Sequence, residues 1–107
     1  MPQFDPEKFE EKYVYYLEEL ETAYRNAYNQ LHGRVDSSLL KAIDRQVFNE
    51  SEPFYEGDGE FRLELPENPR ERAGVGPDNE AFERVLTEYK ERVENELAAI
   101  FGFEKTD

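Results

Sequence analysis

The stretch PFYEGDGEFRLELP, residues 53–66, decides the fold class. Phe61, Leu63 and Leu65 alternate with Arg62 and Glu64, the period of two of a strand that buries one face. Gly57-Asp58-Gly59 supplies residues that tolerate positive φ, so the segment 53–65 predicts a β-hairpin turning at that tripeptide. Two strands alone are marginal in water, so the hairpin must lie against other elements.

Those elements read as helices. Upstream, residues 6–32 predict one long helix. Asp5 suits its cap, Pro6 its first position and Glu7 its positive end, and Gly33 offers a left-handed stop. At 100° per residue, Phe9, Tyr13, Tyr16, Leu17, Leu20, Tyr24, Ala27, Tyr28 and Leu31 share an arc of about 120°, a core stripe, with Tyr15 near the opposite face. A shorter helix over 37–49, capped by Asp36, buries Leu39, Leu40, Ile43 and Val47. Phe48 lies off that stripe and is expected to pack against the segment C-terminal to it. Downstream, PENPRERAGVGPD at 66–78 holds three Pro and two Gly and predicts a mobile loop. The last helix is expected over 79–101, with Asp78 as cap, Gly102 as stop and a frayed tail after Phe103. Its stripe is Phe82, Val85, Leu86, Tyr89, Val93, Leu97, Ile100 and Phe101.

The expected architecture is therefore α+β, mainly α, in a single domain spanning 1–107. Two long antiparallel helices carry one short helix and a β-hairpin packed on them. The first helix, at about 40 Å, outruns a compact domain of this size, so the hairpin is expected to cover the part of its stripe that would otherwise project.

Composition bounds the chemistry. The chain has 107 residues, 26 Asp+Glu against 13 Lys+Arg, a net charge of -13, one His and no Cys. Without Cys there is no disulfide, thiolate zinc site, iron–sulfur cluster or Cys nucleophile. MPQFDPEKFEEK lacks the basic and apolar regions of a signal peptide, and no apolar run reaches membrane-spanning length, so a cytoplasmic protein is expected. Neither half of the chain is basic, which argues against nucleic acid as a direct ligand and against an anionic membrane surface. An aromatic content of 14% opposes disorder. Acids scattered along the whole chain, and five Lys against eight Arg, fit life in strong salt, where a Debye length of about 3 Å at 1 M screens repulsion between carboxylates.

The runs FDPEKFEEKYVYYLEELETAYRNAYNQL and AIDRQVFNESEPFYEGDGEFRLELPENP, and above all NESEPFYEGDGEF, resemble a family of short acidic proteins from halophilic archaea that is itself uncharacterised. The resemblance covers about the first two-thirds of the chain. It implies a high-salt cytoplasm and carries no activity, cofactor or site residue with it.

Candidate chemistry is sparse. His32, the lone histidine, suits the negative end of the first helix better than catalysis. Glu56, Asp58 and Glu60 flank the hairpin turn, but their spacing is not that of an EF-hand loop. Glu18/Glu21 and Glu91/Glu94 read as solvated helix faces, and the three serines sit in no nucleophile motif. No phosphate-binding glycine loop is present. No catalytic, metal-binding or cofactor-binding residue is expected, and no cofactor. The residues singled out are Tyr15, Phe54 and Tyr55, aromatics amid the carboxylates Glu56 and Asp58, which can anchor a protein interface.

Together these features predict a small non-catalytic protein-interaction module of a high-salt cytosol. Its partner is a protein, with a second copy of the chain admissible, and hydrated cations coat its acidic surface. The alternatives are a small enzyme or ligand-binding protein using Tyr, Glu and Arg in a helix–hairpin cleft, and an acidic nucleic-acid mimic that binds a basic protein. The -13 charge also sets a test: thermal melting measured by circular dichroism is expected to rise from low to molar KCl, and equal melting would remove the salt argument.

Overall fold

In the computed structural model, which describes residues 4–103, the hairpin consists of β1 (Glu52–Gly57) and β2 (Glu60–Glu64), paired antiparallel. Tyr55 faces Phe61 and Pro53 faces Leu63, but Gly57 faces Glu60, so Glu56 is the extra residue of a bulge. Gly57, Asp58 and Gly59 take φ values of 96°, 53° and 77°, the left-handed turn that the sequence predicts. Pro53 has no N–H to offer. The N–H of its partner Leu63 turns away from β1 and donates to Glu94 Oε2 at 2.8 Å. The hairpin thus buries Phe61 and Leu63, and helical side chains meet its free edge.

The helices are α1 (Pro6–Phe9), α2 (Lys12–Tyr15), α3 (Leu17–Leu31), α4 (Ser37–Gln46), α5 (Pro69–Arg72) and α6 (Ala81–Ile100), with a 3-10 turn at Phe48–Glu50. The long first helix expected over 6–32 is therefore three helices. Its ends behave as their residue types dictate: Asp5 accepts from the Glu7 N–H at 2.9 Å, Pro6 opens the helix, and Gly33 stops it at φ 87°. The breaks fall at Glu11 (φ -116°, ψ 46°) and Tyr16 (φ -129°, ψ 23°). Their cause is aromatic packing. Phe4 sits 4.7–5.9 Å, ring to ring, from Phe9, Tyr16, Tyr55, Phe61, Phe101 and Phe103. A straight helix would carry Phe9 away from that cluster. Folding back brings the N-terminal turns onto the hairpin, and the Tyr16 hydroxyl accepts from the Asp5 N–H at 3.1 Å.

The breaks also change which residues are inside. Phe9, Lys12, Tyr16, Leu20, Ala23, Ala27 and Leu31 form the buried seam. Tyr13 and Leu17, expected in the core stripe, are 53% and 46% exposed. The predicted arc is too wide at this end: among the described residues, no element covers Tyr13 and Leu17.

Helices α3 and α6 run antiparallel through the centre. Tyr16 meets Phe101 at one end, with centroids 4.9 Å apart. Further along, the Asn26 and Gln30 amides donate to the two oxygens of Glu96 at 3.0 and 2.8 Å. Arg92 donates to Gln30 Oε1 at 2.9 Å. These side-chain bonds fix the register of the pair. Helix α4 starts on the expected cap, with Asp36 accepting from the Ser38 N–H at 3.0 Å, but it ends at Gln46 rather than 49. The 3-10 turn then swings Phe48 onto Tyr89, with rings stacked at 4.0 Å and 14°. Phe48 thus packs on α6.

The segment expected as a plain loop over 66–78 contains α5 and is tied by two arginines. Arg72 donates to the Glu67 carbonyl at 2.7 Å and to Glu50 Oε2. Arg70 donates to the carbonyls of Gly76 and Asn79, with its guanidinium 4.8 Å from the Phe82 ring centroid. That tie delays the last helix to Ala81. Its first turn is met by Asn79, whose Oδ1 accepts from the Ala81 N–H at 3.1 Å, and not by Asp78. Gly102 ends it at φ 84° as expected, and the tail after Phe103 lies outside the described residues.

One position tests the turn and the aromatic cluster together. A Cβ on Gly59 would lie 2.9 Å from Phe103 Cδ1, at φ 77°. Gly59→Ala is expected to lower unfolding stability by about 1–3 kcal/mol, read from the urea midpoint at constant m. Gly57→Ala, with open space around its Cβ, should cost less.

Candidate functional site

Helix α2 forms a ridge between two grooves. The first, about 700 Å³, lies between α3, α4 and the start of β1 and is lined by Tyr13, Leu17, Tyr24, Asp44, Phe48 and Pro53 among others. The second, about 610 Å³, is lined by Pro6, Glu7, Phe9, Glu10, Lys12, Glu52, Phe54 and Tyr55. Consecutive residues split across the ridge: Lys12 faces the second groove and Tyr13 the first, as do Phe54 and Pro53.

Lys12 holds the ridge in place. The residue is only 4% exposed, and its Nζ sits 2.9 Å from Glu52 Oε2. The rings of Phe9, Tyr13 and Phe54 surround it, with centroids at 5.4, 5.4 and 4.9 Å. A desolvated ammonium requires such company: a carboxylate for its charge and aromatic faces for the rest of its surface. With Lys12 pointing inward, the turn must present its other side chains to solvent. Val14 is 75% exposed and Tyr15 51%, and with Tyr13 and Leu17 they make a run of apolar groups on one short stretch.

The residues named from sequence separate. Tyr15 is outward, with Lys8 Nζ 5.5 Å from its ring centroid. Phe54 is half-buried between Lys12 Nζ and the Arg62 guanidinium, each 4.9 Å from its centroid. Tyr55 joins the Phe4 cluster, and its hydroxyl accepts from the Gly59 N–H at 2.9 Å. Glu56 pairs with Arg62 at 3.2 Å and Asp58 is exposed at the turn; neither lines either groove. His32 is exposed and stacks on Tyr28 at 6.1 Å. Glu94 departs from its reading as a solvated carboxylate: it is half-buried between the Leu63 N–H and Lys90 Nζ, at 2.8 and 3.0 Å. Sequence reasoning missed Lys12, Val14 and the exposure of Tyr13 and Leu17. The one available signal was the unbroken run Tyr13-Val14-Tyr15-Tyr16-Leu17, which no single helix face can bury.

The floor of the first groove is polar and internally matched. Ser51 Oγ donates to the Phe48 carbonyl at 2.7 Å, which leaves the Tyr24 hydroxyl as donor in the 2.8 Å bond between them. Tyr89 donates to Asp44 Oδ1 at 2.7 Å. Burial pushes both phenols above the ordinary 10.0. For Tyr89 the adjacent Asp44 adds to the shift. Among the described residues, no group of three or more His, Asp or Glu gathers as metal ligands, and no helix is long and apolar enough to cross a membrane.

The chain belongs to a family of unknown function, DUF5783, whose model matches residues 1–104. No match emerged among curated proteins or among solved structures.

The raised phenols make a stability prediction. Protonated Tyr24 and Tyr89 favour the folded state, a contribution complete below the unfolded tyrosine value near 10.0 and lost as pH rises above it. The urea midpoint is expected to fall above pH 10. The Tyr24→Phe/Tyr89→Phe double variant, less stable at neutral pH, should fall less steeply. Parallel slopes would show that other groups drive the loss.

Proposed function

We propose that this chain is a small non-catalytic module that binds a protein partner in a high-salt cytosol, and that it docks through the α2 turn. The observation that carries the reading is the exposure of Tyr13, Val14, Tyr15 and Leu17 within one short stretch beside an open groove. A lone exposed apolar side chain needs no explanation, but four within five residues, three on α2 and one at the start of α3, is the pattern of an interaction site. The surplus of acids supports the setting: a carboxylate-rich coat stays hydrated in strong salt, while salt strengthens apolar association at the one bare turn.

The test is co-purification at molar KCl from the source cells with the wild-type chain and with the Val14→Ser/Leu17→Ser variant, each checked for native circular dichroism. A partner recovered by the first and lost by the second is expected. Recovery of nothing specific, or equal recovery by both, would end the reading.

A second reading has its own observation. The hydroxyls of Tyr24 and Ser51 and the Asp44 carboxylate line the first groove with Arg25 and Arg45, a polar set suited to a small ligand. Recovery of a bound small molecule that is lost on Asp44→Asn, and not on Val14→Ser, would favour it.

A further inference from the structure

Resting on that docking reading, the charges around the α2 turn carry it further, to the chemistry of the partner. From Glu7 to Glu21 the chain places Glu7, Glu10, Glu11, Glu18, Glu19 and Glu21 around the exposed side chains. None of them makes an ion pair among the described residues. The same stretch holds only two lysines. Lys12 is buried and neutralised by Glu52, which leaves Lys8 as the one cation of that stretch at the surface. The second groove adds the partly exposed ring of Phe54 beside Glu7, Glu10 and Glu52. The rings here are taken by cations of this chain, Lys8 on Tyr15 and both Lys12 and Arg62 on Phe54, so the carboxylates are the groups left to meet a partner's cations. Apolar anchors and an unpaired carboxylate rim are complementary to one kind of segment.

We infer that the α2 ridge takes a basic amphipathic segment of a partner protein. Its apolar side chains seat on Tyr13 and Leu17 at the first groove and on exposed Val14 beside it, and its Lys or Arg side chains cross toward Glu7 and Glu10 at the second. A second copy of this chain is the wrong occupant, because a two-fold contact would set one acidic rim directly against the other.

The experiment uses the full chain and fluorescence anisotropy with three synthetic peptides at low and molar KCl. One is a Leu/Lys/Arg amphipathic helix. The second has the same composition scrambled to remove the apolar face. The third keeps the face but carries Glu in place of Lys and Arg. Val14→Asp/Leu17→Asp and Glu7→Gln/Glu10→Gln variants, checked by circular dichroism, complete the set. The amphipathic basic peptide is expected to bind at least tenfold more tightly than either control at molar KCl. It should lose at least tenfold on the apolar variant and several-fold on the carboxylate variant. Equal binding of the basic and scrambled peptides in both salts would show bulk charge attraction and overturn the inference. Equal binding of the basic and acidic amphipathic peptides, lost on Val14→Asp/Leu17→Asp, would overturn the basic partner while leaving the docking turn standing. No binding by any peptide, with a concentration-dependent dimer that Val14→Asp/Leu17→Asp dissociates in light scattering, would assign the surface to a second copy. No binding and no dimer would overturn both the partner chemistry and the docking turn.

Discussion

The aromatic cluster around Phe4 is the contact on which the rest of the structure depends. It joins three distant parts of the chain: the N-terminal turns through Phe9 and Tyr16, the hairpin through Tyr55 and Phe61, and the end of α6 through Phe101 and Phe103. Each well-placed ring pair contributes about 0.5–1.5 kcal/mol beyond burial of its area, and here one ring touches six others. That is enough to outweigh the helical hydrogen bonds given up at Glu11 and Tyr16. A two-stranded hairpin, marginal by itself, acquires through Phe61 the packing that makes it stable.

The bend that the cluster imposes sets the character of α2. Because the chain turns at Tyr16, Lys12 falls in the buried seam among Phe9, Tyr13 and Phe54, and its ammonium is matched by Glu52. Removing one partner of such a pair leaves a charge that the surroundings cannot solvate, so the turn has only one comfortable seating. In that seating Val14 and Tyr15 have no interior to enter. Their exposure results from the same packing that builds the core.

Where local chemistry decides, the sequence was legible. Asp5, Pro6, Gly33, Asp36 and the Gly57-Asp58-Gly59 turn act as their residue types dictate, since caps and left-handed turns depend on a few neighbouring atoms. The stripe of α6 was legible too, because one period runs through it unbroken. The first helix was not. Periodicity reports which residues could share a face, and it is silent on whether a partner waits beside that face. Among the described residues, no element buries Tyr13 and Leu17. Nor could a local reading find Glu94, whose role is created by a strand 31 residues earlier that presents the Leu63 N–H. The segment around Arg70 and Arg72 likewise gains its order from carbonyls that only the folded chain brings within reach. The candidate surface was half visible: Tyr15 belongs to it and Phe54 lines the groove beside it, but Lys12, the residue that shapes it, looks in the sequence like any surface lysine.

Salt ties these features to the acidic composition. The ion pairs at Arg62, Arg70 and Arg72 join mostly exposed groups, where solvent leaves each a small contribution that shrinks as salt rises. The ring cluster works in the opposite sense, since salts that are excluded from protein surface favour apolar burial. A molecule whose organisation rests on rings therefore tolerates the condition that weakens its surface pairs, and its mutual carboxylate repulsion is screened at the same time. The same division applies at the proposed docking turn. Long-range attraction of a basic segment is lost in molar salt, so discrimination there must come from groups in contact: apolar side chains on Val14 and Leu17, and cations against carboxylates within a few ångströms. The α2 ridge places both kinds of group within one short stretch, the combination that the proposed docking needs where charge acts only at contact.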